Sequence, residues 1–148
     1  MVEINGDLWE VFKEYKTLRV IPTNGYFKSN GELIMGAGVA LQAKKKFVYL
    51  PRILGEEVKK NGNIVHIVDD YQIASFPTKD VYWNNSSIEL IERSTIRLYE
   101  LTKRENWDYV VLPHVGCGLG GLDWEKQVKP LLQKYLTEPM YVSVNEKE

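Results

Sequence analysis

Four glycines, the single cysteine and one of the two histidines of the chain fall within "HVGCGLGGLDW", residues His114 to Trp124. Three chemistries fit such a run. Glycines let backbone N–H groups approach an anion with no side chain in the way, which makes a phosphate cradle. A cysteine near a histidine pairs a nucleophile with a base. A plain turn needs neither, although a short turn uses one or two glycines and each further one costs conformational entropy. Gly116, Gly118 and Gly121 match G-x-G-x-x-G, the spacing that lets a diphosphate approach a helix N-terminus. A dinucleotide fold places that motif in its first βα unit, and here too little chain follows to build the rest. No G-K-[ST] is present to form a Walker loop. Thiol catalysis on a phosphate would call for an arginine a few residues on, and residues 118 to 124 contain none. Cys117 therefore reads as a small buried filler, and the backbone cradle leads.

A second run, "TNGYFKSNGELIMGAGVA" from Thr23 to Ala40, adds Asn24, Gly36 and Gly38. Two loops rich in exposed backbone imply one elongated ligand with several anionic or hydroxyl groups. His66, alone in an apolar stretch, reads as a core histidine, and two histidines with one cysteine argue against a zinc site, so no metal is expected. Asp123 reads as the cap of a helix that begins at Trp124. Lys44, Lys45 and Lys46 suit a helix C-terminus, with contact to nucleic-acid phosphates as the alternative. Tyr26, Tyr82 and Trp83 offer aromatic surface for stacking a base, or are core or rim.

These residues need elements to hold them. "TLRVIPT" (Thr17 to Thr23) is β-branched and apolar and stops at Asn24-Gly25, a strong turn signal. Helices are predicted over Gly38 to Phe47 and Arg52 to Asn61, separated by Pro51. Two tightly joined strands are predicted over Asn63 to Asp70 and Tyr71 to Phe76. Ser86 with Glu89 gives an S-x-x-E capping pattern, and Ile88, Ile91, Thr95, Leu98 and Leu101 recur at helical spacing, predicting a helix to about Asn106. "DYVVLP" (Asp108 to Pro113) reads as a strand buried on both faces. A helix over Trp124 to Leu136, weakened in its middle by Pro130, and a strand over Pro139 to Asn145 complete an α/β sandwich. Each glycine loop follows a strand and feeds a helix, the place where such sheets hold ligands.

Composition bounds the rest. With 148 residues and 44% hydrophobic content, one domain over 1–148 is expected. A net charge of -1, from 19 basic and 20 acidic residues, gives no global field to draw the chain onto DNA or an anionic membrane, so any nucleic-acid contact must be local. One cysteine and no charged-then-apolar leader point to the cytoplasm, and no apolar run is long enough to span a bilayer.

Taken in order along the chain, "NGDLWE" (Asn5 to Glu10), "TNG" with "MGAGVALQAKKKF" (Thr23 to Phe47), "FPTKDVYW" (Phe76 to Trp83) and "GCGLGGLDW" (Gly116 to Trp124) resemble a macrodomain, the ADP-ribose-binding module. The resemblance is nearest to bacterial and phage macrodomains related to ADP-ribosyl glycohydrolases and ADP-ribose 1″-phosphate phosphatases. It implies a three-layer α/β/α sandwich with a mixed central sheet, acting as a monomer without cofactor on ADP-ribose or on an ADP-ribosylated nucleic acid or protein. It implies that Asp7, with Leu8, meets the adenine; that Thr23, Asn24, Met35, Gly36, Ala37, Gly38 and Val39 surround the distal ribose and its phosphate; and that Pro113, Val115, Gly116, Cys117, Gly118, Leu119, Gly120 and Gly121 wrap the diphosphate. Lys79 matches a lysine given a catalytic role in glycohydrolases that act on ADP-ribosylated DNA, and His114 is the second catalytic candidate. The resemblance implies either hydrolysis or binding without turnover.

Overall fold

The computed structural model describes residues 1–146 and builds them around six strands: β1 (Val2–Asn5), β2 (Thr17–Thr23), β3 (Ile67–Val68), β4 (Ile73–Pro77), β5 (Tyr109–Leu112) and β6 (Tyr141–Asn145). They form one sheet of order β1-β6-β5-β2-β4-β3. All neighbours run parallel except β3 against β4, so the sheet is mixed. Four helices cover it: α1 (Gly38–Lys46), α2 (Leu50–Asn61), α3 (Ile88–Thr102) and α4 (Lys129–Tyr135).

Strand alternation explains the layers. On one face Leu18, Val20, Ala74, Phe76, Val110, Leu112 and Tyr141 pack with Ile91 and Leu98 of α3 and Leu132 of α4. On the other, Ile21 and Ile73 meet Ala43 of α1 and Leu50 and Leu54 of α2, while Val111, Val142 and Val144 meet Leu8. The centre of the sheet is thus buried on both sides, which is why β2, β4 and β5 read as continuous apolar runs. Arg19 binds the segment after β1 to this face: Nε donates to the Leu8 carbonyl at 3.0 Å and Nη2 to that of Val11 at 2.7 Å.

Several boundaries differ from the sequence reading. The cap of α3 is Ser87, whose Oγ accepts from the Leu90 N–H at 3.2 Å, and Ser86 lies outside the helix. That helix ends at Thr102, short of Asn106, as the chain turns to bury Trp107 before β5. Asn63 to Asp70 gives only the two residues of β3, because a single 3-10 turn over Asp69–Tyr71 and a left-handed Gln72 (φ 54°) intervene before β4. Pro51 sits in the first turn of α2, where its missing N–H costs nothing. The expected helix from Trp124 splits: a wide π-type turn covers Trp124–Val128, and α4 restarts with Pro130 in its first turn. β1 was not anticipated. Val2 and Ile4 alternate with Glu3 and Asn5 and the Asn5-Gly6 turn signal follows, but four mostly exposed residues at a sheet edge are too short a run to mark a strand by themselves.

Candidate functional site

β2 and β5 are adjacent parallel strands, so the loops that follow them emerge side by side. Between these loops and the segment after β4 lies a cavity of about 650 Å³. Its wall holds Thr23, Asn24, Met35, Gly36, Ala37, Gly38 and Val39 from the first loop, Lys79 from the second, and Pro113, His114, Gly116, Cys117, Gly118, Leu119 and Gly120 from the third. Of the residues that the resemblance assigns to the ligand or to catalysis, four stand outside this wall. Val115 is fully buried and Gly121 closes the turn behind the cavity. Leu8 is a core residue, and Asp7 is exposed, with one carboxylate oxygen accepting the Trp9 N–H at 2.7 Å in a turn. Leu8 packs in one cluster with Val39, which puts the Asp7 turn beside the α1 end of the cavity.

The first loop is braced by Asn24. Its Nδ2 donates to the Ile34 carbonyl at 3.0 Å and its Oδ1 accepts from the Tyr26 N–H at 2.8 Å, joining the two ends of the loop. Met35 is anchored among the α1 and α2 core residues. Beyond it Gly36, Ala37 and Gly38 are exposed, and Ala37 caps α1 without a side-chain hydrogen bond. The first N–H groups of α1 therefore have no intrahelical partner and no side chain over them, at the positive end of the helix dipole.

The glycine loop is a compact double turn. The N–H groups of Val115, Cys117, Gly121 and Leu122 are spent within it, on the carbonyls of Pro113, His114, Gly118 and Gly116. Those of Gly116, Gly118, Leu119 and Gly120 donate to no protein acceptor among the described residues. Gly116 and Gly121 take φ values of 77° and 80°, which side-chain-bearing residues rarely adopt. Gly120 is required for a different reason. A Cβ there would press on the Ser86 hydroxyl and lie 2.5 Å from the Gly116 carbonyl oxygen.

Lys79 is positioned by its backbone. Thr78 N–H donates to the Thr23 carbonyl at 3.0 Å, and the Lys79 carbonyl accepts from Asn63 Nδ2 at 3.2 Å. Gly25 N–H donates to the Asp80 carbonyl at 2.9 Å. The residue is thus fixed on both sides, and it lines the cavity. No Asp or Glu lines the cavity among the described residues, so the wall is set for an anion. His114 stacks flat on Trp124, centroids 3.9 Å apart and planes 7° apart. Trp124 Nε1 donates to Glu3 Oε1 at 3.2 Å, and Glu3 Oε2 lies 2.6 Å from Lys129 Nζ. β1, β5 and α4 together thereby orient the imidazole. Burial lowers the His114 pKa, against the opposing pull of Glu3 and Glu125, and favours the neutral ring.

Cys117 is not an activated nucleophile. Burial, with Asp123 adding to it, pushes its thiol up to about 11, and Sγ faces the Val115 carbonyl at 3.3 Å. Asp123 caps the following turn, accepting the Lys126 N–H at 2.7 Å. Among the described residues no three His, Cys, Asp or Glu side chains are grouped as metal ligands would be, and no helix is long and apolar enough to cross a membrane.

One site residue escaped sequence reasoning. Ser86 lines the cavity, is 8% exposed, and its Oγ has no hydrogen-bond partner among the described residues. Its N–H donates to the Gly120 carbonyl at 2.9 Å, so it is built into the glycine loop. A buried hydroxyl left unpaired costs roughly 1–3 kcal/mol, which a ligand atom in the cavity would relieve. The signal in the sequence, a serine next to the helix start, is the same one that marks the cap, and Ser87 supplies the cap.

Comparison with known proteins agrees with this geometry. A curated DNA ADP-ribosyl transferase-DNA ADP-ribosyl glycohydrolase fusion protein of Thermosipho africanus is 34% identical over 103 residues, 66% of this chain. The chain spans about a quarter, 26%, of that relative's length. Among solved structures, the macrodomain of Mycobacterium tuberculosis DarG superimposes with a TM-score of 0.78 at 26% identity, over 99% of this chain and 97% of that one. Thermosipho africanus DarTG in complex with ADP-ribose gives 0.75 at 27% identity, over 98% of this chain and 41% of that one. The family model described as Macro domain matches residues 28–130, from the first loop through the glycine loop into α4, and the chain belongs to the macro domain family.

Proposed function

We propose that this chain binds ADP-ribose in the cavity between its loops and hydrolyses the bond that joins ADP-ribose to a modified target, with no metal required. DNA is the target that the name of the Thermosipho africanus relative supplies. One observation carries the reading: free N–H groups of the glycine loop and the uncapped start of α1 open on one cavity that holds Lys79 and, among the described residues, no carboxylate. Such a wall suits a diphosphate flanked by sugars. In this reading the diphosphate lies on Gly118, Leu119 and Gly120 and at the α1 start, the adenosine extends toward Asp7, and the distal ribose lies by Asn24, Ser86 and Lys79.

With no carboxylate in the wall to act as base, the chemistry falls to Lys79 and His114. The Lys79 amine displaces the target from the anomeric carbon, the target leaving with one proton of the amine; the C1″–O4″ bond then breaks, O4″ takes the second proton, and the open-chain sugar is held as an imine. Water then hydrolyses the imine, freeing ADP-ribose and restoring the amine. His114, neutral and held by Trp124, accepts or returns the proton.

The test is turnover of an ADP-ribosylated oligonucleotide by wild type and Lys79→Ala, beside calorimetric binding of ADP-ribose. Lys79→Ala loses at least about 100-fold in kcat, while its Kd for ADP-ribose stays within about threefold. Borohydride added during turnover fixes ADP-ribose on wild type and not on the variant. The missing carboxylate base favours one second reading, a module that binds ADP-ribose without turnover; it predicts full binding and no product from either protein.

A further inference from the structure

Three aromatic rings stand together beside the cavity and belong to none of the core clusters. Tyr26, in the loop after β2, is 40% exposed; Tyr82 and Trp83, in the turn after Lys79, are 50% and 62% exposed. Their rings meet pairwise edge to face. Centroids lie 5.5 Å apart for Tyr26 and Tyr82, 5.2 Å for Tyr26 and Trp83, and 5.0 Å for Tyr82 and Trp83, with planes 69°, 70° and 86° apart. Each ring fixes the other two, as at the corner of a box, while much of their surface faces water. An ordered apolar cluster kept exposed marks a contact site. Tyr82 also lines the cavity, as does Lys79, so the corner continues the cavity wall at the end assigned above to the distal ribose.

We propose that the corner formed by Tyr26, Tyr82 and Trp83 is the seat of an unstacked nucleobase in the strand that carries the ADP-ribose. This inference rests on the reading that ADP-ribose occupies the cavity, and it adds where the target lies. The surroundings favour a base over a protein segment. Flat rings offer π-faces that any base can stack on, and the exposed side chains that follow, Asn84 and Asn85, are amides able to pair with base edges. Asp80, the acid of this turn, has one carboxylate oxygen held by Asn63 Nδ2 at 3.0 Å. A net charge of -1 supplies no general attraction for a polyanion, so a local stacking surface is what recognition requires. Bases in a duplex are covered on both faces, so the strand must be single or locally opened.

The experiment compares two affinities in wild type, Trp83→Ala, Trp83→Phe and Tyr26→Ala: ADP-ribose by calorimetry, and a labelled single-stranded oligonucleotide bearing ADP-ribose by anisotropy in the cold. Wild type binds the modified strand more tightly than free ADP-ribose. Trp83→Ala loses about tenfold on the strand, equivalent to about 1.4 kcal/mol of stacking, and keeps its ADP-ribose Kd; Trp83→Phe recovers most of the loss. Three results overturn the proposal: both alanine variants hold the strand as wild type does, the loss is equal on free ADP-ribose, or an ADP-ribosylated peptide shows the same dependence on Trp83. Failure of wild type to bind ADP-ribose instead sinks the reading of the cavity. Binding of the unmodified strand then decides the corner, dependence on Trp83 supporting it and indifference overturning it.

Discussion

Gly120→Ala adds one methyl group at the point where the glycine loop, the cavity and the start of α3 meet. The new Cβ would abut the Ser86 hydroxyl and lie 2.5 Å from the Gly116 carbonyl oxygen. The hydroxyl can rotate away. The carbonyl cannot, because it accepts the Leu122 N–H at 3.0 Å and its residue sits at φ 77°. The loop backbone must shift, and overpacking of this kind costs about 1–3 kcal/mol. For a chain of this size that lowers Tm by roughly 2–12 °C. The shift also misaligns the free N–H groups of Gly118, Leu119 and Gly120, and two weakened charge-assisted hydrogen bonds reduce ADP-ribose affinity by at least about tenfold. Gly118→Ala is the control for stability, since its Cβ would meet nothing within 4 Å of the protein. Thermal melts and calorimetry on the three proteins give the answer. A Gly120→Ala protein that melts and binds like wild type would refute the close packing of this loop and the role given to its N–H groups.

Three further outcomes follow from the same geometry. Ser86→Ala removes an unpartnered buried hydroxyl, so its melting temperature holds or rises while ADP-ribose affinity falls about fivefold, the value of about 1 kcal/mol for a hydrogen bond. Cys117, with its thiol near 11, alkylates slowly at pH 7.5 and faster as the pH approaches that value, and Cys117→Ala keeps wild-type turnover; rapid labelling at neutral pH would contradict this. His114 is held neutral by burial, so its folded pKa lies below the unfolded 6.5. Its contribution to stability is complete above about 6.5 and is lost as pH falls toward the lower folded value. Melts from pH 7.5 to 5 should therefore decline less in His114→Phe, which keeps a flat ring against Trp124, than in wild type.

Local pattern revealed the strands with both faces buried and the amphipathic helix α3. Thr17–Thr23 and Tyr109–Leu112 announced themselves as apolar runs ending at turn residues, and the loops after them announced the site through glycine content. Edge and junction features were hidden. β1 alternates over only four residues and depends on pairing with β6 at the far end of the chain, a non-local contact. The choice of Ser87 over Ser86 as cap depends on the glycine loop, which takes the Ser86 N–H for itself. Tertiary demand also gave Asn24 its bracing work: its side chain holds its own loop at both ends, while the sequence offered a turn signal and, by resemblance, a place at the distal ribose. The stacking of His114 on Trp124, and the line from Trp124 through Glu3 to Lys129, join residues from three elements. No spacing in a single sequence encodes that line.

The measurement that tests the central claim most directly is isothermal titration of the folded protein with ADP-ribose, with AMP and NAD as controls. Saturable one-to-one binding, at micromolar strength on the order of −8 kcal/mol and much tighter than AMP, is the predicted result. No heat with ADP-ribose from protein that melts cooperatively would contradict the account, because the free N–H groups, Lys79 and Ser86 would then share a cavity without sharing a ligand.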